Sequence, residues 1–343
     1  WSEGRNSQLS KFGYNKWDCI FYGAKNVWEN FSHAGTIKDY NTDVFSQKAM
    51  NFIEKSLEEK KPFFVQIHYH FAHYPLKPKA PEKYFKRFNS GAYDLDNFCA
   101  HMYAVDENTR LIEELLAKHG EAENTIFVFT SDNGGAVGST SPLPGNAPYS
   151  GHKGMLNLGG FKVPLFFYWP AGIKKPLQSD QIVSTMDIMP TLVDAAGGTL
   201  PDGLDGKSLI PWMLHGKTDP VRDHVAIGAI HARVWAFNAR TSFFSHNESR
   251  EKAPSGFIVA DDRYILRYVS ETIPDLYRDA VEGIPAHYEL YDYLQDPCEQ
   301  NSIVKQKPEV VDRLKKVWKS ESTDYPKPVK WDVKRWEDII DPK

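Results

Sequence analysis

A chain of 343 residues with 41% hydrophobic content is long enough to bury a sizeable core and to divide into two domains. Its 41 basic and 45 acidic residues are interspersed and leave a net charge of −4, which gives no electrostatic footprint for a nucleic-acid partner. No apolar stretch reaches the roughly 20 residues that span a bilayer, and the widely spaced Cys19, Cys99 and Cys298 form neither a zinc motif nor a disulfide framework.

Residues 43–59 place Val44, Phe45, Ala49, Phe52, Ile53 and Leu57 at helical spacing, and Lys60-Lys61-Pro62 ends that helix. A strand over 63–69 follows and delivers His70-Phe71-Ala72-His73 at its carboxyl end. A helix over 97–118 then leads to the apolar run 126–129, which carries Ser131-Asp132-Asn133-Gly134-Gly135 into a glycine turn. Residues 163–169 read as a further strand, and 186–196 as a helix with Pro190 in its first turns and Gly197-Gly198 behind it. This alternation predicts an α/β fold, a largely parallel sheet sandwiched by helices, with strands buried on both faces. Beyond about residue 215 come the short β-like runs 256–260 and 264–269, turn-rich sequence and a helix near 308–320. They predict a smaller C-terminal α+β domain with an antiparallel sheet, so that the domains are 1–215 and 216–343.

Asp132 and Asn133 put two hard oxygen donors at a strand's end, where open α/β sheets bind ligands. They suit Ca²⁺ or Mg²⁺, and the glycines let backbone approach closely; the same residues also fit a plain turn. Parallel topology would bring His73 to the same edge as a general acid, the alternative being a loop histidine that caps its own turn. His68 and His70 share a strand face, which admits zinc, but no third His or Cys ligand lies nearby in the sequence. Lys153, in Ser150-Gly151-His152-Lys153-Gly154 with Gly159-Gly160 behind it, reads either as an oxyanion binder or as a solvated surface lysine. His231 and Arg233 are candidates for the wall of a substrate cleft built with the smaller domain.

Taken in order, His73-Tyr74-Pro75, Ser131 to Gly135, Gly151-His152-Lys153-Gly154 and Gly159-Gly160-Phe161-Lys162-Val163-Pro164 resemble the type I sulfatases of the alkaline phosphatase-like superfamily. Tyr40-Asn41-Thr42-Asp43, Ser184-Thr185-Met186-Asp187, Asp205-Gly206-Lys207-Ser208-Leu209, Asp261-Asp262-Arg263-Tyr264 and Glu289-Leu290-Tyr291-Asp292 extend the resemblance over most of the chain. It implies a calcium ion, magnesium being the lesser alternative, held by Asp132 and Asn133. Lys153 would bind the sulfate and bridging oxygens, His73 would stabilise or protonate the leaving alkoxide, and His152 is an outer candidate for substrate contact. Asp187 is expected to cap its helix rather than touch substrate.

The resemblance also implies a formylglycine nucleophile made within a Cys/Ser-x-Pro-x-Arg motif, and an Asp-Asp metal pair after the first strand. Neither motif occurs in these residues. Matching Trp1 to the Trp of the family's Gly-Lys-Trp-His segment starts the chain after the first third of the catalytic domain, so formylglycine is expected on a missing N-terminal segment, processed away or present as a separate chain. The expected substrate is a sulfated small molecule or glycan, handled in an extracytoplasmic compartment: periplasm, exterior or lysosome. A phosphodiesterase or phosphonate monoester hydrolase of the same superfamily, and a binding protein without a nucleophile, are the alternatives.

Overall fold

The computed structural model describes residues 18–20, 26–29, 32–36, 39–71, 73, 79–135, 145–153, 155–229, 256–269 and 287–324. Contacts divide the chain into a first unit, residues 1–122 with 331–343, and a second unit, residues 123–330.

In the first unit β1 (Asp18–Ile20), β2 (Asn26–Glu29) and β3 (Ser32–Thr36) form an antiparallel meander. Three helices follow: α1 (Asn41–Glu58), α2 (Glu82–Phe85) and α3 (Tyr93–Lys118). The face that α1 buries is Thr42, Ser46, Ala49, Ile53 and Ser56, so of the apolar residues expected inside only Ala49 and Ile53 are fully buried. The reason is close approach to α3, whose own buried face carries Ala100 and Ala104. Small residues fit there, and the hydroxyls lose no hydrogen bond, because Ser46 Oγ donates to Thr42 O (2.8 Å) and Ser56 Oγ to Phe52 O (2.8 Å). Residues 63–69, expected as a strand, lie outside the described sheets, but their alternating burial, with Phe63, Val65, Ile67 and Tyr69 half-buried, keeps the period of two.

Asp43 joins these helices. Its Oδ1 accepts from Tyr84 OH (2.5 Å) and Asn108 Nδ2 (3.0 Å), and its Oδ2 faces Lys83 Nζ at 2.8 Å. Burial alone would raise its pKa, but the bonds from Lys83, Tyr84 and Asn108 outweigh it and hold the carboxyl below the usual value. A depressed carboxyl adds stability that is complete above its unfolded pKa and is lost as pH falls through the folded one. Asp43→Asn should therefore weaken the protein at neutral pH and flatten the acid limb of its melting-temperature profile; an unchanged profile would remove Asp43 from this role.

In the second unit β4 (Phe127–Thr130) is followed by α4 (Leu158–Phe161) and β5 (Leu165–Tyr168). β5 pairs antiparallel with β4, Phe127 opposite Tyr168 and Thr130 opposite Leu165. Burial on both faces was expected of this run, yet Phe129, Phe166 and Tyr168 are exposed, so among the described residues one face of the ribbon is open. A 3₁₀ turn (Thr185–Asp187) opens α5 (Ile188–Ala195), and α6 (Ile210–His215) follows. Then β6 (Val225–Ala229), β7 (Gly256–Ala260), β8 (Tyr264–Val269) and β9 (His287–Asp292) build an antiparallel sheet in sequence order, covered by α7 (Pro308–Glu321). Phe257, Val259, Leu266 and Leu290 pack with Val310, Val311 and Leu314 of α7 on one face, and Ile258, Ala260 and Ile265 pack with Leu156 and Leu158 on the other. Alternate residues of β7 thus serve two cores, which is why its sequence is apolar throughout. No described helix is long and apolar enough to cross a membrane.

Two of the sequence motifs lock together here. Asp187, fully buried, accepts Ser184 N (2.7 Å) as the return half of a capping box, accepts Lys207 N (2.8 Å) and pairs with Arg222. Thr191 Oγ1 accepts Leu209 N at 2.9 Å. Gly206 is required because a Cβ would lie 2.0 Å from Met186 O.

Candidate active site

Antiparallel pairing makes the long excursion 131–164 leave and return at one end of the β4–β5 ribbon. Its first turn carries Asp132, exposed, and Asn133, half-buried, with Asn133 Nδ2 donating to Asp132 Oδ1 (2.5 Å) and Ser131 Oγ to Asn133 O (2.9 Å). Gly134 N donates to Gly160 O (3.0 Å), and a Cβ on Gly134 would lie 1.7 Å from Gly159 O. Only glycine permits that contact. Lys153 N donates to Gly135 O (3.1 Å), while Asn146 binds both strands of the turn: its Oδ1 accepts Gly135 N (2.7 Å) and its Nδ2 donates to Gly151 O (3.1 Å). Backbone contacts among 134–135, 150–153 and 159–160 therefore bring Lys153 to the Asp132 turn.

Desolvation lowers the Lys153 pKa, and the charge of Asp132 partly opposes that shift. A half-buried ammonium is able to pair with an anion. The Asp132 carboxylate and the Asn133 amide are both hard oxygen donors, so this turn fits Ca²⁺ or Mg²⁺ and would supply part of the about six to eight oxygens that calcium takes.

His73 belongs to the first unit. Its N–H closes a turn onto His70 O (2.9 Å), and the two imidazoles stack at 5.4 Å. Between them Phe71 is buried and stacks on His101 of α3 at 3.8 Å, and His101 Nδ1 bonds Tyr40 OH at 2.7 Å. The histidine loop is thus pinned to α3 through Phe71. Among the described residues no three His, Cys, Asp or Glu side chains gather to hold a metal, so His68 and His70 gain no third ligand for zinc. His152 Nδ1 lies 3.1 Å from Lys153 O. His231 and Arg233 lie outside the described residues.

Sequence reasoning passed over Asn146, Arg267 and Glu299. Asn146 has no motif around it. Glu299 follows Asp296-Pro297, a pattern that signals a turn but not a carboxylate sent back into another loop.

The fold thus gathers a half-buried lysine, a carboxylate and an amide on glycine backbone at one end of the ribbon. The Sulfatase family model matches residues 2–198, and the chain belongs to that family. A second model, N-sulphoglucosamine sulphohydrolase, C-terminal, matches residues 152–323. Among curated relatives, the uncharacterized sulfatase YdeN of Escherichia coli (strain K12) is 34% identical over 203 residues, 59% of this chain and 36% of the relative. The N-acetylgalactosamine-6-sulfatase of Homo sapiens is 30% identical over 179 residues, 51% of this chain and 33% of that one. The chain thus spans about a third of the length of the curated relatives it matches. Two crystal structures share the fold. Ps i-CgsB in complex with k-i-k-neocarrahexaose matches with a TM-score of 0.68 at 23% identity, over 92% of this chain and 62% of that one. The putative sulfatase yidJ from Bacteroides fragilis matches with a TM-score of 0.67 at 19% identity, over 92% and 67%.

Proposed function

We propose that this protein hydrolyses the sulfate ester of a sulfated carbohydrate. The observation that carries the reading is Lys153, desolvated beside Asp132 and presented by glycine backbone at the end of the ribbon. Family membership and relatives named N-acetylgalactosamine-6-sulfatase support it. Cleavage concentrates negative charge on the bridging oxygen. Lys153 binds that oxygen and the sulfate oxygens, and His73 supplies the proton to the leaving alkoxide. Asp132 and Asn133 would hold the cation, calcium before magnesium, which would supply Lewis-acid stabilisation of the sulfate's charge. Formylglycine chemistry goes with the family, and its Cys/Ser-x-Pro-x-Arg motif does not occur in these residues. His152, His231 and Arg233 are candidates for sugar contact, the smaller domain is assigned to residues 216–343, and the working compartment is extracytoplasmic.

The full-length protein, offered N-acetylgalactosamine 6-sulfate and the matching 6-phosphate, should turn over the sulfate and contain calcium by elemental analysis. Asp132→Ala and Asn133→Ala should each reduce the bound calcium. Preference for the phosphate favours the phosphodiesterase alternative, and binding of the sulfated sugar without turnover favours the non-catalytic one.

A further inference from the structure

The loop side of the antiparallel sheet carries a buried ionic clamp. On β8, Arg267 falls two residues after Ile265 and so faces the same way, toward Leu156. Its Nη1 donates to Leu156 O (3.2 Å) and to Glu299 Oε1 (2.8 Å), and its Nε to Glu289 Oε2 (2.6 Å). The other oxygen of Glu299, Oε2, accepts Ser150 Oγ (2.7 Å) and Leu158 N (3.0 Å). One carboxylate therefore ties both ends of the segment that carries Lys153, and one guanidinium ties the carboxylate to the middle of that segment. Arg267 is 5% exposed and Glu299 7%.

Glu299 also holds a left-handed backbone conformation, φ 51°, which a non-glycine side chain adopts at a cost. Stability alone is a weak reason for this arrangement, since a buried ion pair is commonly no better than a well-packed apolar replacement. What the clamp does that apolar residues would not is fix register: each bond specifies one position of Ser150, Leu156 and Leu158.

We propose that Glu299, held by Arg267, is a positioning residue that sets the 150–158 loop so that Lys153 stands ready at the Asp132 turn. The proposal rests on the sulfatase reading for its kinetic consequence. A lysine already in place needs no ordering as charge develops, so the clamp acts on kcat rather than on substrate binding.

The test uses the full-length protein. Glu299→Gln keeps the shape but turns an amide NH₂ toward Arg267 or Leu158 N, and the milder Ser150→Ala removes the hydroxyl's bonds to Glu299 and from Asn157 Nδ2 and leaves the ion pair. With a sugar sulfate, kcat should fall about 10-fold and about 3-fold respectively with KM nearly constant, and neither change should add to Lys153→Ala, because residues acting as one unit are non-additive. Hydrogen exchange at Leu158 N should rise about 10-fold in Glu299→Gln and about 3-fold in Ser150→Ala while Val259 and Leu266 hold their protection. Should Glu299→Gln fail to fold, Ser150→Ala carries the test. Equal losses in the wild-type and Lys153→Ala backgrounds would mean general destabilisation and overturn the proposal, as would unchanged kcat or unchanged Leu158 exchange. If the full-length protein turns over no sulfate ester, the sulfatase reading falls. Hydrogen exchange at Leu158 N then decides this proposal separately: a rise in Glu299→Gln with Val259 and Leu266 still protected upholds it, an unchanged rate sinks it.

Discussion

Lys153→Ala in the full-length protein should lower turnover of a sugar sulfate by about 10²-fold or more while the fold stays intact. The lysine contributes its backbone N–H, not its side chain, to the loop's bonding with Gly135, so truncation leaves that bond in place. Esters with good leaving groups should lose less, because less charge then develops on the bridging oxygen. Since burial lowers the Lys153 pKa, its ammonium is lost earlier on the alkaline side than an ordinary lysine's would be. The alkaline limb of kcat/KM should accordingly begin below the usual lysine range, and Lys153→Arg should abolish that limb even where it slows the reaction. His73→Ala should cut turnover to a similar extent. Near-normal rates in both alanine variants would remove these residues from the chemistry.

Asp187→Ala should be the most damaging single change to stability. It removes the capping-box carboxylate, the acceptor for Lys207 N and the partner of Arg222, whose side chain is itself 10% exposed. Removing one partner of a buried charged pair costs about 3–5 kcal/mol, because the other is left uncompensated. Chemical denaturation reads this directly. Double replacement of Asp187 and Arg222 by apolar residues of similar volume should recover part of the loss. A midpoint within error of wild type for Asp187→Ala would show that the motif has another purpose.

Much of this was legible in the sequence. Helix 97–118 is observed as Tyr93–Lys118, the run 126–129 as Phe127–Thr130 and the helix 308–320 as Pro308–Glu321, since long periodic segments and apolar runs bounded by turns carry their own signal. The cap role of Asp187 was readable from Ser184-Thr185-Met186-Asp187 alone. Partner choice was not. Hydrophobicity marks β4 and β5 as strands, but nothing local in them says that β5 returns antiparallel along β4. The buried face of α1 was misjudged for a similar reason: Thr42, Ser46 and Ser56 look polar until the closeness of α3 and the hydroxyl-to-carbonyl bonds are known. At the candidate site, Asp132, Asn133 and Lys153 were singled out by the order of the motifs that carry them, whereas Asn146 and Glu299 act through bonds that only the folded chain creates.

The glycine contacts have a bearing on how such a protein can change. Gly134, Gly159 and Gly160 meet through bare backbone, with an added Cβ landing 1.7 Å from Gly159 O, 2.5 Å from Ser150 O and 2.2 Å from Met155 O respectively. No side chain is available at these three positions for mutation to adjust, so their backbone contacts are either kept or lost. Variation is open instead to neighbours that do project side chains, His152, Met155 and Lys162 among them. A mutant library for altered specificity would lose most of its members if it touched 134, 159 or 160, and should hold those three constant while varying the rest of the rim.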